Sequence, residues 1–180
     1  MNQFEEKTLK RTVEFTGNLI SLHVDTVQLP DGNRSSREVV THPGAVAIIA
    51  ITKENKLLFV KQYRKPLERS LVEIPAGKIE ANEAPEVTAV RELEEETGYT
   101  TNNLTHLTSF YTSPGFADEI IHLYFTNELI PLEEKVAGDD DEFIEIIELT
   151  IEEAEQYVKD KKIYDAKTAY ALLYVKLMEK

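Results

Sequence analysis

The 180-residue chain has no cysteine and no tryptophan. Without cysteine there is no disulfide framework, no thiolate metal site and no cysteine nucleophile, so a zinc ion would need histidine and carboxylates. Basic residues are in deficit: 20 Lys and Arg stand against 33 Asp and Glu, for a formal net charge of −13. That balance argues against a broad surface tracking nucleic-acid phosphates, because such surfaces are built from basic patches. An anionic small molecule can still bind where a metal and a few basic residues screen the acid locally. No apolar run approaches the ~20 residues needed to cross a bilayer. The N-terminal Met1–Glu6 has neither the basic start nor the apolar stretch of a secretion signal, and a cytoplasmic protein is expected. No internal repeat, linker or low-complexity tract is visible. Apolar content of 42% and charged content of 29% are ordinary for a globular protein, and the length suffices to bury a sizeable core.

What the chain does have is concentrated between Gly77 and Tyr99. A glycine-started loop runs into a helix opened by Pro85, whose missing N–H costs nothing in a first turn. Gly98 suits the left-handed position just past the helix end, with Tyr99 folding back over it. At about 100° per residue, Val87, Val90 and Leu93 share one side with Ala89 and Thr97. Glu92, Glu95 and Glu96 share the other. Like charges one turn apart repel, and anions at a helix C-terminus oppose the macrodipole. A bound divalent cation is the simplest compensation, and hard oxygen ligands suit Mg²⁺, which keeps waters and contacts substrate phosphates. A solvated acidic face is the plain alternative for a bare Glu-x-x-Glu-Glu.

The whole stretch narrows the choice. It matches Gly-x5-Glu-x7-Arg-Glu-U-x-Glu-Glu-x-Gly-U, with U apolar or aromatic, at Gly77, Glu83, Arg91, Glu92, Leu93, Glu95, Glu96, Gly98 and Tyr99. Composition alone would assemble this in about one sequence in a million. The pattern resembles the box of the Nudix hydrolases. That resemblance implies an α/β (α+β) fold, the Nudix α/β/α sandwich with a mixed sheet, carrying a small N-terminal β subdomain. It implies metal ligation by Glu92, Glu95, Glu96 and the Ala76 carbonyl, with Mg²⁺ or Mn²⁺ as the ion. Arg91 would orient a box glutamate through an ion pair.

Outside the box the chain reads as follows. Residues 1–42 form a β unit around a Pro30-Asp31-Gly32-Asn33 turn, and residues 43–180 form the hydrolase domain. Only half of the β unit is apolar, so it packs on the core or on a partner subunit. Ala45–Thr52 and Leu57–Tyr63 read as a hairpin turning at Lys53–Lys56. Arg64 and Lys65 follow at a strand end, either as surface charge or as contacts to a diphosphate, for which arginine is the better bidentate partner. Glu73 lies near the entrance to the box. A second hairpin is expected around Ser113–Asp118, and Phe143–Leu149 alternates as a strand. Thr150-Ile151-Glu152-Glu153 is a capping box, and Asp165 caps a last helix whose Ala169, Leu172, Leu173 and Leu177 should pack on the sheet.

Within the Nudix hydrolases, Pro114 lies fifteen residues past Tyr99, a spacing that resembles the ADP-ribose pyrophosphatases. That likeness implies hydrolysis of ADP-ribose to AMP and ribose 5-phosphate by a homodimer. Arg37 and Glu38 would contact adenine across the dimer, and Arg64, Pro114, Gly115 and Phe116, with Ser113, would line the ribose and phosphate end. With no tryptophan, an indole clamp on the adenine is excluded. Glu142 would be the catalytic base, with Asp140 and Asp141 as fallbacks and Glu145 assisting. Two rivals stand: a Nudix hydrolase of another nucleoside diphosphate sugar or a dinucleoside polyphosphate, and a Nudix-like ligand-binding domain without catalysis.

Overall fold

The computed structural model describes residues 3–134, 136, 138 and 143–178. The chain divides into two compact units, Met1–Gly44 with Phe110–Ile121, and Ala45–Ser109 with His122–Lys180.

The first unit opens with β1 (Lys7–Thr16), followed by β2 (Ser21–Gln28) and β3 (Arg34–Thr41), in an antiparallel sheet of order β1-β2-β3. β1 is exposed along its whole length, and its apolar Leu9, Val13 and Phe15 are scattered among Lys, Thr, Arg and Glu, so the sequence pattern did not reveal it. The sheet buries His23, Asp25 and Val27 of β2. A buried carboxylate needs partners. Arg11 supplies them, donating from Nε and Nη2 to the two Asp25 oxygens at 2.8 and 2.7 Å. The returning segment 113–118 joins this sheet. Val40 N–H donates to the Phe116 carbonyl at 2.8 Å, Asp118 N–H donates to the Val40 carbonyl at 3.1 Å, and Val40 bridges Ala117 in parallel.

The second unit carries the remaining elements: β4 (Ala45–Ala50), β5 (Leu57–Arg64), β6 (Arg69–Glu73), β7 (Ala76–Lys78), helix α1 (Pro85–Thr97) and β8 (Tyr99–Thr100). β9 (Thr105–Tyr111) and β10 (Ile120–Thr126) flank the 113–118 segment, and β11 (Ile130–Pro131), β12 (Glu145–Leu149), α2 (Ile151–Lys159) and α3 (Ala166–Met178) complete the chain. The strand orders are β7-β4-β10-β9, β12-β5-β6 and β11-β8. The expected β4–β5 hairpin is corrected here: the two strands meet at a lone Ile51–Leu57 bridge. β4 instead pairs with β7 and β10, and β5 with β6 and β12. β4 and the first half of β5 are apolar without alternation, which marks strands covered on both faces but says nothing of their partners.

The second unit has the mixed-sheet α+β arrangement expected from the resemblance to a Nudix α/β/α sandwich. α1 lies on β4, β5 and β7, while α2 packs on α3 and β12. Val46, Ile48, Ala50 and Leu58 meet Ala89 and Leu93 of α1, together with Tyr124 and Leu129, in one buried cluster against which Tyr99 packs. Thr150 and Glu153 make the reciprocal capping box of α2, and the Asp165 carboxylate accepts the Thr168 N–H of α3 at 3.1 Å.

Two faces differ from the sequence reading. On α1, Val87 is exposed, whereas Glu92 and Glu96 are buried. The glutamate side lies on the loop entering the helix and not in solvent. On α3, Thr168, Ala171, Leu172 and Val175 are buried, while Leu173 and Leu177 are 64% and 69% exposed and Ala169 is exposed too. That helix is apolar nearly all round, so spacing alone cannot choose its buried face.

Candidate active site

Three local features build the site at the start and end of α1. Pro85 opens the helix, and Gly98 closes it at φ 72°, donating its N–H to the Glu94 carbonyl at 2.9 Å. Between them the carboxylates fall at one-turn spacing. The entering loop is pinned to the far end of the helix, where the Ala76 N–H donates to Glu96 Oε2 at 2.9 Å. Gly77 then passes directly over Glu92. A Cβ at Gly77 would lie 2.0 Å from the Glu92 carboxyl carbon, so any side chain there would displace that carboxylate.

Arg91 neutralises the repulsion between the carboxylates. Its Nε and Nη2 donate to the two oxygens of Glu83 at 3.1 and 3.0 Å. Nη1 reaches Glu92 Oε1 at 2.8 Å and Glu95 Oε2 at 2.9 Å, and Nη2 also reaches the Lys78 carbonyl at 3.3 Å. The Arg91 guanidinium, aided by the Thr88 hydroxyl at 2.8 Å, holds the Glu83 carboxyl well below the usual range, at about 2. The surrounding carboxylates in turn raise Arg91 above its ordinary value. Arg91 therefore pairs with three glutamates at once.

Among the described residues no three acidic or histidine side chains converge as a finished metal cluster. Arg91 stands between Glu92 and Glu95 instead. The donor set still fits a hard divalent cation: three carboxylates gather on one helix face, two of them buried, and the Ala76 peptide is tied to the same face. Hard oxygen donors of this kind hold Mg²⁺ or Mn²⁺ in preference to softer ions.

Of the other predicted residues, Arg64 ends β5 in the same unit. It lies close enough to feel the charge of Glu96, and it donates from Nε and Nη2 to Glu73 at 2.8 and 2.9 Å. Lys65 pairs with Glu68 in solvent, and Glu145 pairs with Lys61 at 2.6 Å on exposed surface. Glu142, Asp140 and Asp141 lie outside the described residues. Gly138, four residues earlier, is described, and a Cβ there would stand 4.0 Å from that of Glu95. Arg37, Glu38, Pro114, Gly115 and Phe116 all belong to the first unit. There the 113–118 segment docks on β3, the strand carrying Arg37 and Glu38. Arg37 donates to Ser35 Oγ and the Ser36 carbonyl at 2.9 Å each, and to Glu6 at 2.5 Å. Glu38, Pro114, Gly115 and Phe116 are exposed.

Sequence reading missed Lys167 and Asp165 as neighbours of the site. Lys167 Nζ donates to Glu73 Oε2, and to Asp165 Oδ1 at 3.0 Å. Lys167 and Glu73 are 94 positions apart, and no local signal links them.

Comparison with known proteins agrees with this geometry. The NUDIX domain family matches residues 41–171. The chain belongs to the Nudix family. Residues 6–40 match a second family, the nucleoside diphosphate sugar hydrolase N-terminal domain. Among curated Nudix relatives, an "ADP-ribose pyrophosphatase" of Bacillus subtilis (strain 168) is 57% identical over 179 residues, covering 99% of this chain and 97% of the relative. A "Methanol dehydrogenase activator" of Bacillus methanolicus is 59% identical over 176 residues, covering 98% and 95%. A "GDP-mannose pyrophosphatase" of Yersinia enterocolitica is 34% identical, covering 89% of this chain and 90% of the relative. A crystal structure titled as an ADP compounds hydrolase superposes with a TM-score of 0.84 at 21% identity, covering 97% of this chain and 94% of the other. That likeness concerns the Nudix fold.

Proposed function

We propose that the chain is an ADP-ribose pyrophosphatase, adding water across the diphosphate of ADP-ribose to give AMP and ribose 5-phosphate. The observation that carries the reading is the 57% identity, over nearly the full length, to a protein of that name. The gathering of Glu83, Glu92 and Glu95 around Arg91 supports it.

Glu92, Glu95, Glu96 and the Ala76 carbonyl would hold Mg²⁺ or Mn²⁺. Bound there, the ion would screen the diphosphate charge and lower the pKa of a ligated water. Arg91 offsets the charge of Glu83, Glu92 and Glu95 and holds their side chains in place. Arg64 would donate to a diphosphate oxygen. Glu142 would take the proton of the attacking water.

Residues 1–42 would act as a subdomain that pairs with a second copy of the chain, leaving 43–180 as the hydrolase domain. Arg37, Glu38, Pro114, Gly115 and Phe116 would recognise the nucleoside and ribose ends from that assembly. Support comes from their proximity within one unit and from the apolar side chains Phe4, Val13, Phe15 and Leu19 that this unit exposes. No described helix is long and apolar enough to cross a membrane, and the cytoplasm is the proposed location.

The test is a substrate panel with Mg²⁺: ADP-ribose, GDP-mannose, other nucleoside diphosphate sugars and dinucleoside polyphosphates. Equimolar AMP and ribose 5-phosphate from ADP-ribose, at the highest kcat/KM of the panel, is the expected result. Preference for another substrate would reassign it, and no turnover of any would leave a ligand-binding domain. A second reading rests on the 59% identity to the methanol dehydrogenase activator. On that reading the chain also stimulates a methanol dehydrogenase, and adding the purified chain to a dehydrogenase assay decides the matter.

A further inference from the structure

Behind Arg64 lies a closed set of four charged groups. Glu73 is 2% exposed. Burial alone would push its carboxyl up, but hydrogen bonds and charge from Arg64 and Lys167 bring it down to about 2. Arg64 uses Nε and Nη2 on Glu73, and its Nη1 takes part in no hydrogen bond among the described residues. The Arg64 side chain is 38% exposed. Lys167 of α3 also donates to Glu73 Oε2 and is only 11% exposed. Its remaining partner, Asp165, is anchored by the Thr168 N–H, and the Thr168 hydroxyl accepts the Ile74 N–H at 3.1 Å. The N-terminal turn of α3 is thus bonded to the residue that follows Glu73.

We propose that Lys167 is a positioning residue for Arg64, making the guanidinium available to the diphosphate of a nucleoside diphosphate sugar by sharing Glu73 with it. The inference rests on the assignment of Arg64 to the substrate diphosphate. With Lys167 present, Arg64, Glu73, Lys167 and Asp165 sum to zero charge. Without it the cluster is an anion, Glu73 is neutralised by Arg64 alone, and an incoming diphosphate meets net repulsion. In this low-dielectric pocket that difference is large, because solvent screens it poorly. Lys167 touches neither substrate nor ion on this view; it acts only through Glu73 and Arg64.

The experiment is a steady-state comparison on ADP-ribose, with folding checked by thermal melting. Lys167→Met should raise KM about tenfold while kcat per folded molecule changes less than about threefold. Lys167→Arg, which keeps the charge, should restore KM to within about twofold of wild type. In an Arg64→Met background, Lys167→Met should add no further rise in KM, because the two act as one unit. A KM unchanged in Lys167→Met while Arg64→Met raises it would overturn the proposal and leave the Arg64 assignment intact. A KM unchanged in Arg64→Met would overturn both. Full additivity in the double variant would show that Lys167 acts elsewhere. Should Lys167→Met fail to fold, Lys167→Gln retains a donor to Glu73 without the charge, and the same KM rise is expected of it.

Discussion

The carboxylate of Glu92 occupies the space where a side chain at Gly77 would have to begin, at 2.0 Å from an ideal Cβ. The glycine of the box is therefore paired with its glutamate by shape. No positive φ is involved at Gly77; the constraint is close approach. Gly77→Ala should displace Glu92, lower kcat/KM by about a hundredfold and weaken divalent-ion affinity, since a misplaced ligand loses most of its contribution. Calorimetric titration with Mg²⁺ beside kinetics checks it, and wild-type activity would show that Glu92 can move without cost.

Glu96 and Glu142 should separate binding from chemistry. Glu96 is buried and receives the Ala76 N–H, so Glu96→Gln keeps the volume but removes a charge from the ion site. Metal affinity should fall at least about tenfold, as losses at metal sites commonly do. Glu142→Gln should abolish turnover with metal affinity unchanged. Equal metal affinity in wild type and Glu96→Gln would count against the assigned ligand, and full activity in Glu142→Gln would move the base elsewhere.

Acid should loosen the protein through two carboxylates. Glu73 and Glu83 both titrate at about 2 in the fold. Their ordinary value in the unfolded chain is about 4.3. Folded pKa values that are depressed contribute stability above the unfolded value and lose it as pH falls toward 2. Melting temperature should therefore drop between about pH 4.5 and pH 2. In Glu73→Gln and Glu83→Gln that pH dependence should be shallower, and an identical slope in both variants would place the acid sensitivity in other groups.

Arg91→Ala should cost about 3 kcal/mol, because it strands partly buried carboxylates that repel one another. Saturating Mg²⁺ should recover part of that loss, since cations then supply the missing positive charge. Chemical denaturation with and without the ion measures both terms. A loss below about 0.5 kcal/mol would mean the carboxylates are adequately solvated without Arg91.

On α3 the two leucine neighbours should behave oppositely. Leu172 is 6% exposed and Leu173 is 64% exposed. Leu172→Ala should destabilise by about 2–5 kcal/mol and Leu173→Ala by under about 0.5 kcal/mol. Denaturant midpoints distinguish them, and similar losses would show that a second surface covers Leu173.

The amino-acid order by itself determined the box helix with its proline start and glycine stop, the carboxylates on one arc, the capping box of α2, the Asp165 cap of α3 and most strand positions. These depend on neighbours within four residues or on period-two and period-3.6 patterns, which any reader of the chain can measure. It also carried the glycine requirement at Gly77, though not the identity of the side chain that demands it. Tertiary structure alone decided that β4 and β5 pair elsewhere, that α3 buries Leu172 and not Leu173, and that Glu92 and Glu96 are covered. It alone brought Lys167 onto Glu73 across 94 positions. The physical reason is common to these cases: a uniformly apolar strand or helix has no preferred face, and a charge finds its partner only when packing has removed the water between them.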